Sequence, residues 1–92
     1  MLPQWSVGIE AEGDEVMTIE RIGDLADAVA SNGGIASGIG QTRYGVKILV
    51  DAVDREQAIA KATEILRRAA RTADLPEWPL VRVEAVSEDE ED

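Results

Sequence analysis

The 92-residue sequence contains no cysteine and no histidine. The absence of cysteine excludes disulfide bonds and thiol catalysis, and the absence of histidine excludes imidazole acid–base chemistry and histidine ligation of haem. Without either residue, zinc sites of the usual ligand types cannot form. The sequence also has no basic leader and no apolar run of membrane-spanning length, and it enters a strand pattern at once. We therefore expect a cytoplasmic protein without cofactors or membrane contacts.

Basic residues are few. Nine Lys and Arg stand against nineteen Asp and Glu, which gives a net charge of −10. Seven acids and one base lie in residues 1–27, and the last five residues are all acidic, whereas residues 28–87 are nearly balanced. Direct nucleic-acid binding is disfavoured, because neutralising phosphates needs clustered Lys and Arg. Residues 88–92 lack any apolar anchor, so we expect a disordered acidic tail after a single domain at residues 1–87.

Three stretches alternate between apolar and polar residues, as strands with one buried face do: 5–12, 44–51 and 80–87. Their inward positions are expected to be Trp5, Val7 and Ile9; Tyr44, Val46, Ile48 and Val50; and Val81, Val83 and Ala85. A fourth, weaker strand is expected at 35–40, at a sheet edge, because only Ile35 and Ile39 are large and apolar there. Trp5 and Trp78 open two antiparallel strands and should therefore lie at opposite ends of the sheet.

Two stretches show helical spacing. The first places Ile19, Ile22, Leu25, Ala26 and Val29 on one stripe, with Thr18 as N-cap and Asn32, Gly33 and Gly34 as the terminator. The second begins at Asp54, which has Gln57 three residues later as in a capping box, and its inward positions are Ile59, Ala62, Leu66, Ala69 and Ala73. The order of elements is βαββαβ. It predicts an α+β fold of the ferredoxin-like plait type, with a four-stranded antiparallel sheet in the order 4-1-3-2 and both helices on one face.

The other face of this sheet is expected to be open. It should carry mainly small and charged residues, so that another protein surface can approach closely, and its expected positions also include Ala36, Gly40 and Leu80. The predicted interaction surface consists of Gly8, Glu10, Gly38, Gly45, Lys47, Leu49, Arg82 and Glu84. Opposite charges on neighbouring strands, such as Glu10 and Lys47, predict cross-strand ion pairs. An RNA-binding plait would instead place aromatic side chains here.

Other clusters are better explained structurally. The glycines between positions 33 and 45 match no phosphate-loop motif and precede a strand, so turns and close packing are favoured over anion binding. Glu10, Glu12, Asp14 and Glu15 lack the ligand spacing of a calcium loop, which favours a solvated acidic edge over a metal site. Lys61, Arg67, Arg68 and Arg71 suit the helix dipole and solubility better than phosphate binding. No nucleophile is paired with a base, so we expect no enzyme.

The plait order, the segment GGIASGIGQTRYGVKILVDAVD and the ending EWPLVRVEAVSE resemble small uncharacterised proteins of high-GC actinobacteria and their phages. The resemblance covers nearly the whole chain and implies no particular activity. The topology is also loosely similar to ACT-type regulatory domains, which bind amino acids at dimer interfaces near a glycine that follows the first strand. Gly13 stands at that place.

These observations favour a non-enzymatic interaction or assembly module that forms homo-oligomers through the open sheet face. The resemblance to ACT-type domains implies a second possibility, a small-ligand sensor. The acidic residues 10–27 and the tail allow a third, an inhibitor that mimics the charge of a nucleic acid. The sequence identifies neither the protein partner nor the pathway.

Overall fold

A computed structural model of the chain describes residues 2–87. The acidic tail expected at 88–92 lies outside the described residues. The elements are β1 (Gln4–Glu12), α1 (Ile19–Val29), β2 (Ile35–Ser37), β3 (Arg43–Asp51), α2 (Arg55–Thr72) and β4 (Leu80–Ser87). The strands form one antiparallel sheet in the order β2-β3-β1-β4, which is the predicted order read from the other edge. The prediction of an α+β fold with an open antiparallel sheet is confirmed.

Both helices begin at the predicted caps. The Thr18 side chain accepts a hydrogen bond from the Arg21 backbone N–H at 3.2 Å. Asp54 Oδ1 accepts one from the Gln57 N–H at 2.8 Å, and Gln57 Oε1 accepts one from the Val53 N–H at 2.9 Å. The bonds from the Arg21 and Gln57 N–H groups satisfy backbone donors that the first helical turn leaves without partners, and the bond from Val53 ties the residue before the cap to the helix. After α1, a short 3₁₀ turn at Ala30–Asn32 leads to Gly33 in the left-handed region, at φ 64°.

A single apolar core lies between the helices and one face of the sheet. The predicted inward residues of β1 and β3 are all buried, and Ile22, Leu25 and Val29 from α1 and Ala58, Ala62 and Leu66 from α2 meet them. The Ala-rich face of α2 allows the helix to approach the sheet closely, because its buried positions carry almost no side-chain volume. Within residues 2–87, neither helix is long and apolar enough to cross a membrane.

The orientation of the first residue of α1 differs from the prediction. Ile19, predicted to face inward, is 66% exposed, and Met17 is fully buried instead. The Met17 N–H donates to Gln41 O, and the Gly40 N–H donates to Met17 O, each at 2.8 Å. This backbone pairing with the β2–β3 connection holds Met17 against the core before the helix begins. Helical spacing alone does not reveal that contact.

β2 is shorter than predicted and has the opposite phase. It ends at Ser37, and Gly38 and Gly40 follow with φ of 126° and 79°, values that glycine adopts without strain. Ala36 pairs with the inward residue Val46 and packs against the core. The prediction that Ala36, Gly38 and Gly40 lie on the open face is therefore wrong, because the short strand carries Ile35 and Ser37 there instead.

A β-bulge changes the start of β4. Glu10 pairs with Arg82 but Ala11 pairs with Leu80, so Val81 is an extra residue between two register positions. Val81, predicted to face inward, is 52% exposed, and Leu80, predicted on the open face, packs against the core. Beyond the bulge the predicted alternation returns, with Ala85 buried.

The two tryptophans lie at opposite ends of the sheet, as predicted. Trp5 Nε1 donates to Ala52 O at 3.0 Å. At the other end, the Trp78 ring stacks on Tyr44 with centroids 5.5 Å apart, and Arg67 donates to Trp78 O at 3.1 Å. A Cβ at Gly13 would lie 1.9 Å from Trp78 Cε2, so the indole occupies the space that any larger residue would need.

Two glycine substitutions should therefore change stability in opposite directions. Gly13→Ala forces a methyl group against Trp78 and should destabilise the fold by about 1–3 kcal/mol. Gly23 lies within α1, and a Cβ there meets nothing within 4 Å, so Gly23→Ala should stabilise by up to about 1 kcal/mol. Thermal unfolding followed by circular dichroism measures both changes. A Gly13→Ala protein that melts at or above the wild-type temperature would contradict this packing.

Tyr44 should make stability fall at high pH. Burial raises the pKa of Tyr44, and the nearby Arg67 and a backbone hydrogen bond involving Trp78 offset this only in part. Its hydroxyl donates to Pro76 O at 2.8 Å, a bond that ionisation would remove. Because the folded pKa lies above the unfolded value of about 10, the contribution is complete below that pH and is lost as pH rises through the folded pKa.

The chain has a single tyrosine, so its phenolate absorbance reports this group directly. The folded protein should titrate at higher pH than the urea-unfolded protein. The difference in stability between wild type and Tyr44→Phe should be constant at neutral pH and shrink above about pH 10. Coincident titration curves for folded and unfolded protein would show that Tyr44 is not held in its neutral form.

Candidate protein-interaction surface

The face of the sheet opposite the helices is uncovered within residues 2–87 and forms a shallow depression of about 410 Å³. We call this surface the open face. It consists of outward residues from all four strands: Ser6, Gly8 and Glu10; Ile35 and Ser37; Gly45, Lys47 and Leu49; and Arg82, Glu84 and Val86. This set of residues follows from strand alternation, because the residues between these positions point into the core.

The strand register arranges these residues in three rows across the sheet. The first row is Ser37, Gly45, Glu10 and Arg82; the second is Ile35, Lys47, Gly8 and Glu84; the third is Leu49, Ser6 and Val86. In the second row, Gly8 separates a cation on β3 from an anion on β4. Opposite charges thus lie on the two sides of the central strand, with a residue that has no side chain between them.

The two glycines on the open face have different surroundings. A Cβ at Gly8 would meet nothing within 4 Å, so the space above the middle of the sheet is open. A Cβ at Gly45 would lie 3.1 Å from Glu10 Cγ and 3.2 Å from Ile9 O, so Gly45 is covered by its neighbours. Gly8 therefore leaves room for an approaching surface, whereas Gly45 allows Glu10 to lie across β3.

Two ion pairs lie on or beside this face. Arg43 Nη1 is 3.2 Å from Glu10 Oε1, and Arg82 Nη2 is 3.5 Å from Glu84 Oε2. The expected pair between Glu10 and Lys47 is not formed. Lys47 and Arg43 lie on β3 two residues to either side of Gly45, which is opposite Glu10, and the Glu10 carboxylate pairs with Arg43. Among residues 2–87 the Lys47 ammonium has no hydrogen-bond or ion-pair partner. Exposed pairs of this kind contribute at most about 1 kcal/mol, so a partner can rearrange them at little cost.

Apolar side chains border the charged middle of the open face. Ile35 on the β2 edge is 65% exposed and Val86 on the β4 edge is 41% exposed. Leu49 is half-buried and lies over Gly33, where an added Cβ would be 3.1 Å from Leu49 Cδ1. The surface thus combines an ionic centre with apolar edges.

All residues of the predicted interaction surface except Gly38 lie on the open face. Gly38 lies in the connection after β2, where a Cβ would be 2.3 Å from Arg43 O, so it serves the turn. Four residues of the open face were not part of that predicted surface: Ser6, Val86, Ile35 and Ser37. Ser6 and Val86 follow from the alternation of β1 and β4, whereas Ile35 and Ser37 could not be placed from the sequence. A three-residue strand has too little alternation to set its phase, and the only available signal was an isoleucine in an otherwise small and polar segment.

The other charged clusters have structural roles. Glu15 pairs with Arg21 at 3.2 Å, and among residues 2–87 no three acidic residues are grouped as a metal site. On α2, Lys61 donates to Asp51 O, which ties the helix to the end of β3. Arg68 pairs with Glu64 at 2.7 Å, one helical turn away. These contacts use Lys61 and Arg68 within the protein itself.

Comparison of the chain with protein-family models and with curated proteins, and of its fold with solved structures, gives no match. The resemblances suggested by the sequence stay predictions. Function must therefore be inferred from the geometry of the open face.

Proposed function

We propose that this protein is a non-enzymatic assembly module of the cytoplasm, with a ferredoxin-like plait, which forms homo-oligomers through its open face. The observation that supports this most strongly is the second row of that face. Lys47 lacks an ionic partner among residues 2–87, Glu84 lies on the other side of β1, and the space above Gly8 between them is empty. A surface with opposite charges and a recess suits contact with another protein surface.

The small size of the domain also supports oligomerisation through the open face. A chain of 92 residues buries only roughly 60–65% of the surface that its unfolded form exposes, so its own core gives a modest margin of stability. Among residues 2–87, the buried apolar cluster lies on the helix side of the sheet. Covering the other side would remove exposed apolar area at Ile35 and Val86 from water and stabilise the folded chain.

A small-ligand sensor is less compatible with the geometry. The resemblance to ACT-type domains requires a ligand near the glycine that follows β1. At Gly13 that space is filled by the Trp78 ring, and the Gly13 N–H already donates to Thr42 O at 2.9 Å. The glycine is thus explained by packing. Asp14 and Glu15 beside it would also repel a ligand carboxylate.

Gly8→Val tests the use of the open face. The added side chain has room in the isolated protein, and replacing a strand glycine should raise its melting temperature slightly at low concentration. The same side chain would fill the recess and block close approach of another surface. By sedimentation velocity, wild type should self-associate at high micromolar concentration, and Gly8→Val should be monomeric.

Gly23→Ala is the matched control, since it also adds carbon to a glycine with open space, but on α1. It should leave self-association unchanged. Gly45→Arg is a poorer probe, because the 3.1 Å approach of Glu10 Cγ means that folding itself could suffer. A wild-type protein that stays monomeric at high micromolar concentration would refute the proposal, as would undiminished association of Gly8→Val.

A further inference from the structure

We propose that two copies of this chain dock open face to open face about a two-fold axis parallel to β1, so that Lys47 of each copy meets Glu84 of the other. This inference rests on the proposed function and adds the arrangement of the contact. It is derived from the row order of the open face and the charges that each row carries.

β1 runs through the middle of the open face, with β3 on one side and β4 on the other. A rotation of 180° about an axis above Gly8 and parallel to β1 brings the β3 side of one copy over the β4 side of the second. Within the second row, Lys47 then lies over Glu84. Because the operation is its own inverse, this ion pair forms twice.

The other rows fit the same rotation. In the third row, Leu49 of one copy lies over Val86 of the other, so an apolar side chain meets an apolar side chain. In the first row, Arg82 lies over Gly45, where the Glu10 side chain of that copy crosses β3 and offers a carboxylate to the incoming guanidinium. The two Glu10 side chains approach each other near the axis. Each is bound by its own Arg43 at 3.2 Å and lies beside the Arg82 that the other copy brings over Gly45.

A two-fold axis that runs across the strands, parallel to the sheet but perpendicular to β1, gives a poorer contact. Placed above Gly8, it would bring Lys47 onto Lys47 and Glu84 onto Glu84, with like charges opposed at two places. Moving the axis that is parallel to β1 to a position midway between β1 and β3 would place Glu84 over Ile35 and Lys47 over Gly8. The axis along β1 therefore pairs charge with charge and apolar with apolar better than these alternatives.

Lys47 and Glu84 do not satisfy each other within one copy. They lie two strands apart, about 10 Å in the hydrogen-bonding direction. Glu84 instead makes a 3.5 Å contact with Arg82 on its own strand, with both side chains 64% exposed. In the dimer, Lys47 would gain an ionic partner, which it lacks among residues 2–87 of its own copy. Docking would also partly shield the charges of Lys47 and Glu84 from water.

The size of the contact sets its strength. Because the axis lies above β1, the strands β1, β3 and β4 of the two copies overlap, whereas β2 projects beyond β4 of the other copy. Strand spacing and rise give the three overlapping strands roughly 350–400 Å² per copy, or about 750 Å² in total. That lies below the usual range for stable interfaces and is typical of weak, reversible association. Measurements must therefore extend to high micromolar concentration, and moderate ionic strength is needed so that the contact pairs are not screened.

Charge reversal tests the arrangement. Lys47→Glu alone opposes two acids at each of two contacts, and Glu84→Lys alone opposes two bases, so each variant should associate at least tenfold more weakly than wild type. Mixing the two variants in equal amounts opposes an acid to a base at both contacts, and should restore a dimer. The double variant Lys47→Glu/Glu84→Lys should also dimerise alone. Sedimentation velocity measures self-association in all five samples: wild type, the two single variants, their mixture and the double variant.

Glu64→Lys is the matched control. It makes the same charge change as Glu84→Lys and removes one exposed ion pair, but it lies on α2, away from the open face. It should associate as wild type does, and circular dichroism should show each variant folded. Association of both single variants at the wild-type level would overturn this arrangement.

The remaining outcomes are also distinct. An axis across the strands opposes like charges in wild type, in both single variants and in the double variant. A mixture of the single variants that associates more tightly than wild type, while the other samples associate alike, would indicate that axis and overturn the proposal. If wild type dimerises and only Gly8→Val disrupts the dimer, the open face is the contact but its arrangement is different. If wild type is monomeric throughout, the proposed function itself fails.

Discussion

Pairing of the central strand β1 with both β3 and β4 is the constraint on which both faces of the sheet depend. It places Val7 and Ile9 in the core, and the same alternation turns Gly8 and Glu10 outward. The register then sets what lies beside each of them. Gly8 falls between Lys47 and Glu84, so the packing that builds the core also sets the separation of charge on the open face.

The sequence was sufficient where alternation or capping was strong. β1, β3 and both helix starts were predicted because long periodic runs and the residues Thr18, Asp54 and Gln57 each have a local physical meaning. β2 was not, because three residues between glycines carry no clear period. The bulge at Val81 was also hidden, since Leu80 and Val81 are both apolar and either could face the core. Most of the open face was predicted for the same reason that β1 and β3 were.

The glycines show what composition cannot separate. Gly13 makes room for an indole, Gly38 and Gly40 supply backbone angles, Gly45 lies beneath Glu10, and Gly8 has empty space above it. The sequence alone does not distinguish the roles of these glycines. Only the distance from each missing Cβ to its neighbours distinguishes a glycine that the fold requires from one that leaves a surface open, and Gly8 is of the second kind.

The net charge of −10 also bears on the open face. Two such chains repel each other at long range, and this repulsion is largely screened beyond about 8 Å at physiological ionic strength. An apolar open face would overcome the repulsion without selectivity and would favour aggregation. In the proposed dimer, opposite charges on the two sides of β1 would add selectivity, because a second copy would be attracted most strongly in the orientation that opposes Lys47 to Glu84. The net negative charge would disfavour other contacts, while this pairing would favour one orientation.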